Sequence, residues 1–266
     1  MANQRRRGAA GALFLGLALG GCGSAGPTAS IDVVPPQKAL QIVNANAAKI
    51  TGALRASGSV DGYFTTPENR RRSYHADAVL FYLAPGYFRF DVKSLGDRQL
   101  LLGSNTEYFW FYSKQDDAYY CGRQGVDEDV PEGVPMRADQ VIDALALAPI
   151  DHSDFGAVGS NESERFQLRK EYLSDGGSPP VIKQVVFRDQ AGTVTMKSSL
   201  DRYKPLYPGG PLLPTSMVAQ WPTARAQMRF RVSKWTPADQ VSPEGPQFAT
   251  PPECSSSRRG GSTAGN

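Results

Sequence analysis

A mainly β fold is predicted, with α+β character: one curved antiparallel sheet of about ten or eleven strands, covered by two or three helices. Three observations predict it. Several segments alternate apolar and polar residues with period two, the mark of a strand with one buried face. Turn-forming residues punctuate the chain at short intervals, as in Ala84-Pro85-Gly86, Leu95-Gly96-Asp97, Gly103-Ser104-Asn105, Asp175-Gly176-Gly177 and Gln190-Ala191-Gly192. Only two stretches carry an apolar stripe at helical spacing.

The first element is a helix over about 38–53, where Ala39, Leu40, Val43, Ala47 and Ile50 recur at three- and four-residue spacings. Pro35 and Pro36 bound its start and Gly52 lies near its end. The period then becomes two: Phe88, Phe90 and Val92 alternate with Arg89, Asp91 and Lys93. Phe166, Leu168 and Tyr172 repeat the pattern, as do Val194, Met196 and Leu200, and then Ala226, Met228, Phe230 and Val232. Further strands are predicted near 54–64, 74–83, 98–103, 106–113, 117–122, 180–188 and 215–221. A second helix fits 137–147, with Val141, Ile142, Leu145 and Ala146 as its stripe between Pro135 and Pro149. Tyr108, Trp110 and Tyr112 share one side of a strand and Phe109 and Phe111 the other, so that strand is apolar on both faces. A sheet this long curls, and two helices are little cover for its apolar face. The shortage hints at an apolar cavity.

The N-terminus begins with Arg5, Arg6 and Arg7, continues in small and apolar residues from Gly8 to Gly21, and reaches Leu19-Gly20-Gly21-Cys22. The apolar run is shorter than the roughly 18–20 residues that span a bilayer. It reads as a signal peptide, and its end resembles the lipobox of bacterial lipoprotein precursors. That resemblance implies cleavage after Gly21 and acylation of Cys22, with a membrane held through the N-terminal lipid. Gly23, where an Asp would signal inner-membrane retention, leans toward the outer membrane, facing the periplasm. Removing the three leader arginines from the 29 basic residues leaves 26, balanced by 26 acidic ones, so the sequence gives no reason to propose nucleic-acid binding. The organisation expected is a signal peptide over 1–21, a flexible tether over 22–36 rich in Gly, Ser, Ala, Thr and Pro, a domain over 37–254, and a disordered tail over 255–266. With Cys22 acylated, Cys121 and Cys254 remain. They can form one disulfide, which by loop entropy would stabilise by about 4–5 kcal/mol, or stay as two buried thiols.

The order of elements resembles the LolA/LolB fold of lipoprotein-localisation proteins, a curved antiparallel half-barrel with helices in its mouth and a hydrophobic cavity between. Two stretches carry the likeness. In the first, Phe88-Arg89-Phe90 leads through a tight turn to an apolar strand, and a Gly/Asn turn then leads to Trp110-Phe111-Tyr112. In the second, Leu213-Pro214 opens a strand, a turn follows, and the alternating strand Arg225–Val232 closes on Trp235. The resemblance implies that Leu95, on the turn Leu95-Gly96, corresponds to an exposed leucine that helps transfer cargo lipoproteins; the residues alone also allow a leucine tucked against a neighbouring strand. The chain departs from LolB-like proteins in its long acidic loop over 123–135, in the segment from Trp235 to Cys254, and in Arg70, Arg71 and Arg72. Those arginines read as a solvated hairpin tip or as a contact for anionic lipid headgroups.

His75 and His152 are the only histidines, and no Cys-x-x-Cys or His-x-x-x-His spacing accompanies them. No metal site or cofactor is therefore expected. No nucleophile elbow, phosphate-binding loop or dinucleotide fingerprint is present, and an enzyme is not expected. The function expected is a monomeric, membrane-anchored protein that binds acyl chains of lipoproteins or lipids in an apolar cavity, as an acceptor in lipoprotein localisation. Phe88, Phe90, Trp110, Phe166, Met196, Met228 and Phe230 are its candidate lining residues. The alternative is a protein-interaction or envelope-sensing lipoprotein on the same fold without lipid transfer.

Overall fold

The computed structural model describes residues 34–65, 69–115, 117–124, 138–157, 170–189 and 191–256. Cys22 with the leader, Phe166, most of the 123–135 loop and the chain from 257 onward lie outside the described residues. A helix, α1 (Pro36–Ala47), leads into six strands joined as successive hairpins: β1 (Leu54–Thr65), β2 (Arg71–Leu83), β3 (Tyr87–Ser94), β4 (Asp97–Ser104), β5 (Tyr108–Ser113) and β6 (Ala118–Arg123). Next come α2 (Ala138–Ala144), a 3-10 turn at His152–Asp154, and β7 (Phe155–Ala157). β8 (Lys170–Ser174), β9 (Ile182–Arg188) and β10 (Val194–Asp201) follow, then the short pair β11 (Lys204–Pro205) and β12 (Leu212–Leu213). β13 (Ser216–Trp221), β14 (Ala226–Pro237) and α3 (Pro252–Ser256) complete the order.

Twelve strands form one sheet in the order β6-β5-β4-β3-β2-β1-β14-β13-β10-β9-β8-β7, which is open because β6 and β7 are not paired with each other. β1 and β14 meet at its centre, so the first and last strands close the topology. All pairings are antiparallel except β7 with β8, which is parallel. That differs from the wholly antiparallel expectation, and the connection between the two strands has the dozen or so residues that a parallel crossover needs. α1 is shorter than the helix expected over 38–53. The chain tightens at Ala48–Ile50, where Lys49 N–H donates to Asn46 O at 3.2 Å and Ile50 N–H to Ala47 O at 2.9 Å. α3 runs two residues past the expected domain end at 254. Among the described residues no helix is long and apolar enough to cross a membrane.

The sheet curls around α2. This helix of seven residues packs against β3 and β4, yet Ser198 Oγ on β10 donates to Ala144 O at 2.8 Å, and Lys170 Nζ on β8 lies 3.0 Å from Asp143 Oδ2. In a flat sheet β4 and β8 would stand roughly 38 Å apart, several times what one short helix spans. Inward-facing side chains from both halves consequently share one core with α1 and α2, including Phe90 and Phe230, whose rings meet edge to face at 5.1 Å.

The other side of the sheet is partly covered as well. After β14 the chain crosses the outside of β2 to β6. Ala238, Val241 and Phe248 pack with Ala53, Phe81, Leu83 and Tyr87, and Cys254 packs with Leu101 and Trp110. Arg89 donates to the carbonyl of Gln247 at 3.4 Å, and Asn105 Nδ2 to that of Phe248 at 3.3 Å. A disulfide between Cys121 on β6 and Cys254 on α3 pins the end of this strap, with Cα atoms 5.5 Å apart.

Candidate functional site

α1 is held by two asparagines from its own last turns. Asn44 reads the backbone of Ile150, donating to its carbonyl at 2.9 Å and accepting from its N–H at 2.9 Å. Asn46 does the same to Leu212, at 2.9 Å and 2.6 Å. These two clamps tie the helix to the α2–β7 connection on one side and to β12 on the other. Ala39, Leu40, Val43 and Ala47 face the core, and the flank bearing Ile42, Ala45 and Asn46 is left over a cleft.

That cleft has a volume of about 320 Å³, at the lower end of small-molecule sites, roughly 300–1,000 Å³. Its walls are mainly apolar: Ile42 and Val43 from α1, the Pro179–Ile182 segment entering β9, and Ala146 and Leu212. Polar groups sit at few places. Lys49 Nζ donates to Gly209 O at 3.2 Å. Tyr203 donates its hydroxyl to Ile182 O at 2.6 Å. Burial, then the charges of Asp175 and Asp201, push the Tyr203 hydroxyl well above its ordinary value, so it stays a protonated donor. The cleft can take an apolar chain against one tyrosine and leave an anionic end near Lys49; among the described residues nothing around it has the arrangement of a nucleophile and base.

The lining expected from the sequence lies elsewhere. Phe88, Phe90, Met196, Met228 and Phe230 do face inward, but they are buried in the shared core and line neither this cleft nor the second one described below. The space expected to be empty is filled because the curled sheet brings both halves onto α2. Trp110 faces the other way: it is wholly buried beneath the strap, stacked over Gly103, where a Cβ would overlap its indole. Phe109 and Phe111 are the residues of β5 that enter the shared core.

Leu95 is fully exposed, at 103% of its reference area. Ser94 pairs with Asp97, so Leu95 and Gly96 form a two-residue hairpin turn, with φ of +52° and +89°. Such turns favour Asn-Gly because both central residues are left-handed, and a leucine there costs roughly 1–2 kcal/mol. Asp91 anchors the same hairpin from outside. Arg98 grips its carboxylate with two bonds of 2.9 Å and Arg89 adds one of 3.3 Å. Burial pushes Asp91 up, but the bonds and charges of Arg98 and Arg89 outweigh it and hold the carboxyl below the usual range. Asp91 and Arg89 also wall a second cleft of about 480 Å³, between β2, β3 and the strap at Pro246–Gln247.

His75 Nδ1 lies 2.7 Å from Asp61 Oδ1, and Arg231 bonds the other oxygen of that carboxylate. The trio sits on the outward side of β1, β2 and β14, in neither cleft. Among the described residues no group of three or more His, Cys, Asp or Glu is placed to hold a metal. Sequence reasoning missed Asn44, Asn46 and the 179–182 wall. The signal available was two asparagines, poor helix formers, within one turn of an otherwise regular stripe.

No family model matches the sequence, and no curated protein matches it. Solved structures similar to it include a DUF1329 family protein from Desulfovibrio piger, at 9% identity over 79% of this chain and 95% of that one, with a TM-score of 0.49. A LolA superfamily protein from Nitrosomonas europaea is similar at 10% identity over 82% and 98%, with a TM-score of 0.46. A putative outer membrane lipoprotein-sorting protein domain from Vibrio parahaemolyticus is similar at 11% identity over 78% and 95%, with a TM-score of 0.42. The chain's likeness to these proteins is one of fold, at identities near one residue in ten.

Proposed function

We propose that this chain is a LolB-like envelope lipoprotein, acylated at Cys22, held at the outer membrane facing the periplasm, that binds an acyl chain of a lipid or lipoprotein without catalysing a reaction. The observation that carries this reading is the apolar cleft under α1. Transfer of an acyl chain into it is favourable by about 0.8 kcal/mol per buried methylene, which requires no cofactor and no covalent step. Leu95 supports the reading separately. A fully exposed leucine in a left-handed turn conformation pays twice for its position, in strain and in exposed apolar area, and such outliers cluster where a chain acts.

The test uses the full chain carrying Cys22→Ser and a fluorescent fatty-acyl probe. One saturable site is expected, competed by unlabelled fatty acid and lost when the cleft is filled by Ala45→Trp or Val181→Phe. Binding that survives both cleft-filling changes, or no saturable binding by the unfilled chain, would sink the proposal. One observation favours the second reading, a protein-interaction lipoprotein without lipid transfer: the inward face of the sheet is packed with side chains. Absence of acyl binding together with a stoichiometric protein partner would decide for it.

A further inference from the structure

β2 continues past the end of β3. Its pairing with β3 stops at Asp77 opposite Lys93, whereas its pairing with β1 runs on to Arg71 opposite Thr65. Over those six residues, about 20 Å of strand, no described strand lies along the side of β2 that β3 has vacated. Arg71, Arg72, Ser73, Tyr74 and His75 are all exposed there. The Leu95–Gly96 turn forms the bottom of the resulting notch. Backbone groups in a strand alternate between its two sides, so about three N–H and three C=O groups of this stretch point into the notch.

The edge is held in shape. Arg71 stacks over the Tyr63 ring at 3.6 Å. Arg225, on the neighbouring β13–β14 turn, donates to Asn69 Oδ1 at 3.3 Å and accepts from Thr65 Oγ1 at 3.3 Å. Basic residues outnumber acidic ones along the edge: Arg70, Arg71 and Arg72 stand at the mouth, against Asp77, which faces Lys93 at the base, and Asp97 on the turn. Basic residues along an open edge disfavour pairing with a second copy and favour a strand of opposite charge. An anionic bilayer would suit the arginines but not the edge, since lipid offers no ladder of amides. A surface touching Arg71 would also stand about 15 Å from Leu95 along the strand.

We propose that the edge of β2 from Arg71 to Ala76 is a docking site for an extended acidic segment of a partner protein, added as a strand in the lane β3 leaves empty and ending against Leu95. Main-chain bonds to the edge supply affinity, and the arginines supply the sign of charge, as in other strand-addition complexes. The site is separate from the cleft and does not depend on acyl binding.

The probe is a short labelled peptide of alternating glutamate and valine, titrated against the full chain carrying Cys22→Ser. Controls are the same peptide methylated at alternate backbone nitrogens and a lysine–valine peptide. One site is expected, with slowed amide exchange within 71–76, and both controls are expected to bind at least tenfold more weakly. Arg71 and Arg72 point to opposite faces of the strand and the peptide's glutamates share one face. Arg71→Glu with Arg72→Glu therefore turns one cross-strand attraction into a repulsion whichever face the glutamates take, and should weaken binding several-fold. Equal binding of the methylated or the lysine peptide, an unchanged affinity in the double variant, or protection elsewhere than 71–76 would overturn the proposal. So would an edge-to-edge dimer of the chain alone, or binding to phosphatidylglycerol vesicles with none to the peptide.

Discussion

Replacing Asn44 by alanine tests whether α1 is fastened to the domain by its side chains as well as by its apolar stripe. Asn44 makes two hydrogen bonds of 2.9 Å to the backbone of Ile150, which is only 5% exposed. A net hydrogen bond is worth about 0.5–1.5 kcal/mol, and a buried group left without a partner costs about 1–3 kcal/mol. Two orphaned groups on a buried residue therefore cost about 3 kcal/mol. Alanine returns roughly 0.6 kcal/mol through its better helix preference, so Asn44→Ala should destabilise by about 2–2.5 kcal/mol. Urea unfolding at constant protein concentration measures this, with an unchanged m-value showing that the transition remains the same one. Asn44→Asp keeps the acceptor but sets a carboxylate against Ile150 O, and should destabilise more at pH 7 than at pH 4. A loss below about 0.5 kcal/mol for Asn44→Ala would mean that water reaches Ile150 freely and that the clamp does not hold the helix.

Leu95→Asn gives the turn its preferred residue and should raise stability by about 1 kcal/mol while impairing acyl hand-off to vesicles; a loss of stability would show that the exposed leucine is supported by contacts. Asp91 has a folded-state pKa held below its unfolded value. Its contribution is thus complete above about pH 4 and is lost as pH falls through the lower folded value. Arg98→Gln should shift acid unfolding to higher pH and cost about 2–3 kcal/mol, less than for a fully buried pair; an unchanged acid midpoint would exclude the linkage. Opening the Cys121–Cys254 bridge, which spans 133 residues, removes about 5 kcal/mol in the loop-entropy account. Cys254→Ser should also red-shift the emission of Trp110 as the strap loosens, whereas a stability loss without that shift would place the effect wholly in the unfolded chain.

The strands were legible where one face meets water, because alternation then survives in the residues. Phe88 to Lys93 and Ala226 to Val232 show it, and β3 and β14 lie there. Length was not legible: β14 runs on to Pro237 because its outer positions pair with β1 all the way to Leu54, a long-range fact that no local pattern carries. Trp110 was assigned to the wrong side for a related reason. Tyr108–Tyr112 is apolar on both faces, so period two yields two sets and does not say which is inward; the strap that buries the outer set comes from residues far along the chain. The cleft was illegible because its walls are short and irregular. Asn44 and Asn46 gave the nearest signal, but their partners Ile150 and Leu212 follow only from the curl of the sheet. The sequence places Leu95 on its turn, while its full exposure is a property of the folded hairpin that no local pattern carries.

If the cleft binds an acyl chain as proposed, the packed core limits how much of it can enter. With Phe88, Phe90 and Phe230 buried in one core, the inward face of the sheet is filled among the described residues, and the apolar volume beside α1 is the cleft's 320 Å³. A longer chain must displace α1. The two asparagine clamps together resist this by about 4 kcal/mol, the sum discounted because they share one helix turn. At about 0.8 kcal/mol per methylene, some five further methylenes must be buried before lifting the helix breaks even, more if the apolar stripe of α1 is exposed as well. Binding should therefore level off once the cleft is full and resume only for chains long enough to open the helix. Such a threshold suits a protein that holds one acyl chain briefly at its rim better than one that encloses a whole triacylated anchor. On that reading α1 does more than cover the core: the strength of its clamps would set which chains can enter.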